Sequence, residues 1–409
     1  MAPRAMRSDG PGQAVFSVRP SHNACKAAIV NIPLLKPSPA RLSGLVSELM
    51  AIEASGQFTN FGPVNAHFEQ EMVARVFGGV GACLTVSNAT LGLMLAIRDA
   101  IGDNPRGRRY ALMPSFTFAA TAQAALWNGL IPLFCDIDPD SWTPSQRAEA
   151  EILERYGAAV AVVVPYATFG DSIDLDHYAH LSKRHNVPVV VDAAASLGSL
   201  DHAGRGFGTG FGQPVVFSMH TTKAFSTLEG GLVYCADPAV IARLRAMANF
   251  GFDQPRIATL PGLNAKLSEV SALLGLAKLD VFDAVIERRE AAAARYHANL
   301  NEFTFQLLSG RRTAHTFMPL LLPEDRAGRR AEIVRALAER GIGAGTYFSP
   351  HLAEHPYFEQ NCIKGDLTVT EDIARRILVL PLSDTIAMDE VDAVCHALMA
   401  VSAPMEASR

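Results

Sequence analysis

Residues 189–198, VVVDAAASLG, and residues 215–225, VVFSMHTTKAF, decide the fold. Each opens on a continuous apolar run that is too short for a helix and lacks polar alternation, the pattern of a strand buried on both faces. The first run ends in Asp192 and the second in Ser218. Lys223 follows after a short polar turn and precedes the Gly-rich segment EGG at 229–231. Similar runs stand at 110–113, 131–134, 158–164, 187–191 and 231–235, most of them bounded by Pro, Gly or Asp. Together they predict an α/β fold: a large domain whose mostly parallel central sheet is flanked by helices.

Helical segments frame these runs. Residues 40–55 and 64–77 read as helices separated by the turn-rich GQFTNFGP. The spacing of Leu93, Ala96, Ile97, Ala100 and Ile101 predicts a helix beginning near Ala89. After Gly262 the pattern changes. Residues 266–303 read as nearly unbroken helix, followed by an apolar stretch at 316–322, a helix at 329–340, a strand at 343–348 and helices at 370–378 and 388–399. The expected organisation is a poorly ordered lead-in at 1–28, a large domain at 29–260 and a smaller C-terminal α+β domain at 261–409.

Bulk properties narrow the function classes. The 409 residues carry a net charge of −5, so no basic nucleic-acid footprint is expected. The six cysteines, Cys25, Cys83, Cys135, Cys235, Cys362 and Cys395, include no C-x-x-C pair, which argues against a metal site or a disulfide framework. The basic residues near the start are not followed by an apolar leader. The run 27–35 is interrupted by Asn31 and Pro33 and is too short for a membrane span. The expectation is a cytoplasmic protein.

Four segments carry the chemistry. Asp192 and Lys223 lie 31 residues apart, enough for one more connection and strand, so both would emerge at the carboxyl edge of one sheet, where open α/β sheets bind ligands. Taken alone, Asp192 reads as a helix cap and Lys223 as a surface charge. Together they are what pyridoxal phosphate requires: an amine to form a Schiff base with its aldehyde, and an acid to keep its pyridine nitrogen protonated. The stretch 84–97, LTVSNATLGLMLAI, gives a strand, a polar turn and a helix capped by Asn88. The amides of Ala89 and Thr90 and the Thr90 hydroxyl would face an anion there, with Ser218 as a further donor. A capped helix without ligand is the plainer alternative. In 113–121, MPSFTFAAT, Phe118 stands just past a strand end, where its face could stack on a cofactor ring or simply fill core. No G-x-G-x-x-G follows an early strand, which argues against a dinucleotide-binding dehydrogenase.

These segments, with TNFGP (59–63), PLFCDID (132–138), GLNAKLSEVSALLGL (262–276) and TYFSPHL (346–352), occur in an order that resembles the DegT/DnrJ/EryC1/StrS family of sugar aminotransferases, a branch of the fold type I pyridoxal-phosphate enzymes. The resemblance spans roughly residues 30–360. It implies Lys223 as the Schiff-base lysine, Asp192 as the pyridine partner and Phe118 as the stacking ring. It further implies Ala89, Thr90 and Ser218 as phosphate contacts, and Asn264 as a phosphate contact reaching across from the second subunit of a homodimer. The implied reaction moves an amino group from glutamate to a nucleotide-linked keto sugar, with a lean toward dTDP-4-keto-6-deoxyhexoses from the TTK form of the lysine motif. Asn60, Phe61, His220, Lys266 and Tyr347 are the candidate substrate contacts.

Two departures stand out. Ala195 occupies a position where family members often carry Gln or His near the cofactor's 3-hydroxyl, a contact that a water or Ser196 would have to replace. Lys266 stands where many have Arg, and cannot offer the same forked hydrogen bonding. Dehydratase relatives replace the lysine with His; the intact Lys223 favours transamination. The alternatives are an aminotransferase acting on a 3-keto sugar or a cyclitol ketone, and a non-catalytic pyridoxal-phosphate-binding regulator. The latter usually carries an added DNA-binding segment, which the short lead-in does not show.

Overall fold

Seven of the apolar runs pair into one sheet. The computed structural model describes residues 31–103 and 107–403, so the expectation for 1–28, and Cys25 with it, lies outside the described residues. The strands are β1 (Ala82–Val86), β2 (Tyr110–Pro114), β3 (Ile131–Cys135), β4 (Val160–Val163), β5 (Val191–Asp192), β6 (Val215–Ser218) and β7 (Gly231–Cys235). Their spatial order is β1-β7-β6-β5-β4-β2-β3, with β5 joined to β4 through parallel bridges at Val163–Val189 and Tyr166–Asp192. Only β7 runs against its neighbours; the other six point the same way. Nearly every strand residue is buried, as expected of a sheet covered on both faces, and two apolar clusters fill the layers above and below it. Because the parallel strands end together, the tips of β2, β5 and β6 share one edge.

Beyond the sheet, β8 (Phe252–Gln254) and β9 (Ile257–Ala258) form a small hairpin. The small domain is built on β10 (Thr304–Phe305) and β11 (Met318–Leu321). After them the chain sends β12 (Ile363–Lys364) back to extend the large sheet beside β3, then returns with β13 (Ile377–Leu380) to pair with β11. Helices Phe282–Asn299, Arg330–Glu339 and Met388–Ser402 cover this second sheet around a separate core, which also takes in Ile32.

The continuous helix expected over 266–303 is two helices, Glu269–Leu279 and Phe282–Asn299, parted at Asp280–Val281. Ser268 caps the first, its hydroxyl accepting from the Ser271 amide. Apolar spacing continues through this break, so pattern alone did not mark it. The helix expected at 370–378 ends at Arg376, and the following ILVL is strand β13, because tertiary pairing with β11 claims a run of β-formers that no Gly or Pro separates from the helix. The strand expected at 343–348 reduces to one bridge, Gly345–Val379, after which the chain leaves the sheet as a crossing segment.

Candidate active site

The site is assembled where the parallel strands end. Asp192 is the last residue of β5 and is 2% exposed. Its Oδ2 accepts a hydrogen bond from Thr121 Oγ1 at 2.6 Å and its Oδ1 accepts from the Ala194 amide at 3.1 Å. Burial pushes its carboxyl above the usual carboxylate range, while the Thr121 hydroxyl, the Ala194 amide and the Lys223 ammonium pull it back. Lys223 sits in the turn after β6, its backbone amide donating to the His220 carbonyl at 2.9 Å. The residue is half-buried, and its Nζ lies 5.6 Å from the centre of the Phe317 ring. Desolvation pushes it down to about 8, opposed by the charge of Asp192. Acid and amine therefore feel each other in a site that disfavours both charges.

A second group of residues converges beside this pair. Ser218, at the tip of β6, stands opposite Gly231 of β7. A Cβ at Gly231 would come within 2.6 Å of the Ala89 nitrogen, so only glycine lets the helix Ala89–Ile101 start against the sheet. Asn88 caps that helix by accepting from the Leu91 amide at 2.9 Å. The amides of Ala89 and Thr90, at its first turn, have no upstream helical carbonyl to meet. The result is a helix N-terminus and a serine hydroxyl around one glycine, a cradle that suits an anion.

Phe118 and Tyr347 share a cavity of about 270 Å³ lined also by Thr117, Phe348 and Pro350. Phe118 is 63% exposed, at the start of the helix Ala119–Trp127. Tyr347 packs on Phe317 at 5.2 Å, which connects this cavity to Lys223.

The remaining residues have their contacts elsewhere. Phe61 lies under the Arg245 guanidinium at 4.9 Å, and Asn60 is exposed; both hold positive φ in the loop before the helix Pro63–Arg75. Lys266 Nζ donates to Asn249 Oδ1 at 2.8 Å and lies over the Phe250 ring at 4.6 Å. Asn264 is exposed and bridges Asn249 along the outer edge of β1. His220 meets Thr222 Oγ1 at 2.9 Å and lies 3.5 Å from Glu229 Oε1. Ser196 does not replace a contact at Ala195: it is fully buried, and its hydroxyl donates to the Asp171 carbonyl.

Two residues of the site went unread in the sequence. Thr121 is the last letter of the MPSFTFAAT stretch, three positions past Phe118, but its partner is 71 residues away and only the sheet order joins them. Phe317 lies in an apolar stretch where a ring reads as core. No group of His, Cys, Asp and Glu suited to a metal ion is present among the described residues.

A model of the DegT/DnrJ/EryC1/StrS aminotransferase family matches residues 44–399. The chain belongs to this family. Protein Mb3436c of Mycobacterium bovis is 32% identical over 400 residues, covering 97% of this chain and 95% of that protein. The dTDP-4-amino-4,6-dideoxy-D-glucose transaminase of Shigella dysenteriae is 28% identical over 368 residues, 89% of this chain and 96% of its own. Among solved structures, that of DesI with its TDP-sugar product superposes with a TM-score of 0.81 at 32% identity, covering 92% of this chain and 94% of that one. As a family member the chain is an aminotransferase with the fold type I architecture expected from its sequence. No helix among its described residues is long and apolar enough to cross a membrane.

Proposed function

We propose that this chain transfers an amino group from L-glutamate to a nucleotide-linked keto sugar, a dTDP-4-keto-6-deoxyhexose, with pyridoxal 5'-phosphate as cofactor. It would do so as a homodimer with shared active sites. The observation that carries the reading is that buried Asp192 ends β5 and Lys223 follows the neighbouring parallel strand β6, so acid and amine come to the same edge of the sheet, where the amine is pushed down to about 8. The acceptor class draws on the Shigella relative and on the TDP-sugar held by DesI.

The side chains present fit the cofactor. The cradle of Ala89, Thr90 and Ser218 around Gly231 suits its phosphate, Asp192 suits a protonated ring nitrogen, and the exposed Phe118 suits a flat ring. When bound, pyridoxal phosphate supplies a carbonyl carbon open to amines and a cationic ring that accepts an electron pair. Asp192, fixed by Thr121 and Ala194, keeps a negative group in one place. Lys223 Nζ, depressed to about 8, can release and recover a proton near neutral pH, so it would act as base toward the donor's carbon and as acid on the return. The exposed Asn264 would reach the partner subunit's phosphate cradle. Asn60, Phe61, His220, Lys266 and Tyr347 would face the sugar nucleotide.

The test is an assay of glutamate against a panel of 3-keto and 4-keto nucleotide sugars and cyclitol ketones. Activity on a 4-keto dTDP sugar, abolished in Lys223→Ala, is expected. Turnover by Lys223→Ala at the wild-type rate would overturn the reading.

A further inference from the structure

The segment from Gly345 to Ala353 crosses from the small domain to the large one and lines the cavity it shares with Phe118. At its small-domain end Gly345 bridges Val379, and Arg330 NH2 donates to Ser349 Oγ at 2.8 Å. At its large-domain end everything converges on Ser115, the residue just after β2. The Leu352 amide donates to the Ser115 carbonyl at 3.1 Å, the Ala353 amide donates to Ser115 Oγ at 3.0 Å, and Ser115 Oγ meets His351 Nδ1 at 2.8 Å.

Both partners of that last bond are sealed: Ser115 is 0% and His351 2% exposed. Such a buried polar pair is costly unless satisfied, and here each partner meets the other. Nε2 has no hydrogen-bond partner; the nearest carboxylate, Glu354 Oε2, is 3.8 Å away. The ring therefore uses one nitrogen, and uses it to hold the crossing segment down.

Ser115 also belongs to the turn that prepares the acid. Two residues on, Thr117 Oγ1 meets Thr121 Oγ1 at 3.0 Å, and Thr121 holds Asp192; between them Phe118 faces the cavity. One short stretch after β2 thus fixes the acid on one side and the segment bearing Tyr347 on the other.

We propose that the Ser115–His351 bond is a positioning clasp that sets Tyr347 and Phe348 in the cavity they line with Phe118, and so the shape of the pocket for the keto sugar. This rests on the functional reading given above for the cavity. His351 touches neither reacting atoms nor cofactor; it acts through the segment it fastens.

The experiment compares wild type, His351→Leu, His351→Asn and Ser115→Ala as holoenzymes. Asn keeps a hydrogen-bonding group where Nδ1 stands; Leu removes it. His351→Leu should raise KM for the keto sugar roughly tenfold, leaving kcat within about twofold and the visible absorbance of bound cofactor unchanged. Amide hydrogen exchange over 346–353 should quicken in the same variant. His351→Asn should recover both readouts to within about threefold of wild type. The proposal is overturned if exchange over 346–353 is unchanged in His351→Leu, if Asn is as defective as Leu, or if kcat and cofactor binding fall while KM holds. Should His351→Leu fail to fold, Ser115→Ala, which removes a single hydroxyl, carries the same expectations. If the wild type aminates no keto sugar, the functional reading falls, and exchange alone still decides whether the clasp holds the segment.

Discussion

Thr121 Oγ1 lies 2.6 Å from Asp192 Oδ2, a short hydrogen bond between a helix of the β2 connection and the tip of β5. It gives the buried carboxylate a donor where burial would otherwise drive it toward its neutral form. Thr121→Val keeps the volume and removes the donor. We expect Asp192 to shift further up and kcat to fall about tenfold, since bonds to charged groups contribute roughly 1.5–3 kcal/mol. Steady-state kinetics read this directly, and an unchanged kcat would show that the bond does not serve the acid.

Lys223 sets a pH dependence. Its ammonium is pushed down to about 8 in the folded chain, from an ordinary lysine value near 10.5. The amine that captures the cofactor is the deprotonated form, so the rate of cofactor binding to the cofactor-free enzyme should rise with pH and reach half its plateau near pH 8. Linkage has a matching sign. Between about pH 8 and 10.5 the unfolded chain holds a proton on this lysine that the folded chain has lost, so its contribution to stability rises with pH across that window. Stopped-flow absorbance after mixing with pyridoxal phosphate checks the first expectation. A half-plateau near pH 10 would contradict it.

Leu228 holds φ +74° beside the Lys223 turn, where its carbonyl accepts from the Thr221 amide at 2.7 Å. A leucine in the left-handed region carries strain of order 1 kcal/mol that glycine does not. Leu228→Gly relieves that strain and loses a side chain that is 42% exposed, so little packing goes with it. Glycine also frees the unfolded chain, which offsets part of the gain. Thermal melting should show Leu228→Gly unchanged to slightly stabilised, by up to about 1 kcal/mol. A clear loss of stability would mean that the side chain has a packing role.

Asp384 is buried between Lys278 Nζ at 2.5 Å and Arg289 at 2.6 Å, and Lys278 also reaches the Ser38 carbonyl. The three side chains are 3–4% exposed and tie the Glu269–Leu279 and Phe282–Asn299 helices to the loop after β13. Removing the one anion leaves two buried cations without it, so Asp384→Ala should cost roughly 3–5 kcal/mol of stability. Denaturant unfolding measures this; a loss under about 1 kcal/mol would indicate that water reaches the cations.

The places of Asp192, Ser218, Lys223 and the Ala89–Thr90 turn were legible because each ends a short apolar run or follows one by a polar turn, and such runs, without polar alternation, read as strands of a covered sheet. Register follows from hydrophobicity, and the strand tip follows from register. Lys266 and Phe61 were legible as motif letters, but their partners, Asn249 and Arg245, were not. The break at Asp280–Val281 and the strand Ile377–Leu380 escaped because local pattern there suits more than one structure and pairing partners decide.

By itself the sequence determined the class of fold and the order of the strands' chemical cargo, since burial periodicity and polar strand ends are local properties of the chain. Tertiary structure alone decided that Thr121 holds Asp192, that Phe317 lies by Lys223, and that Ser115 meets His351 across 236 residues. Those contacts depend on which strands lie side by side and where the small domain's crossing segment lands. No spacing along the chain encodes such distances, because they are fixed only when the whole core packs.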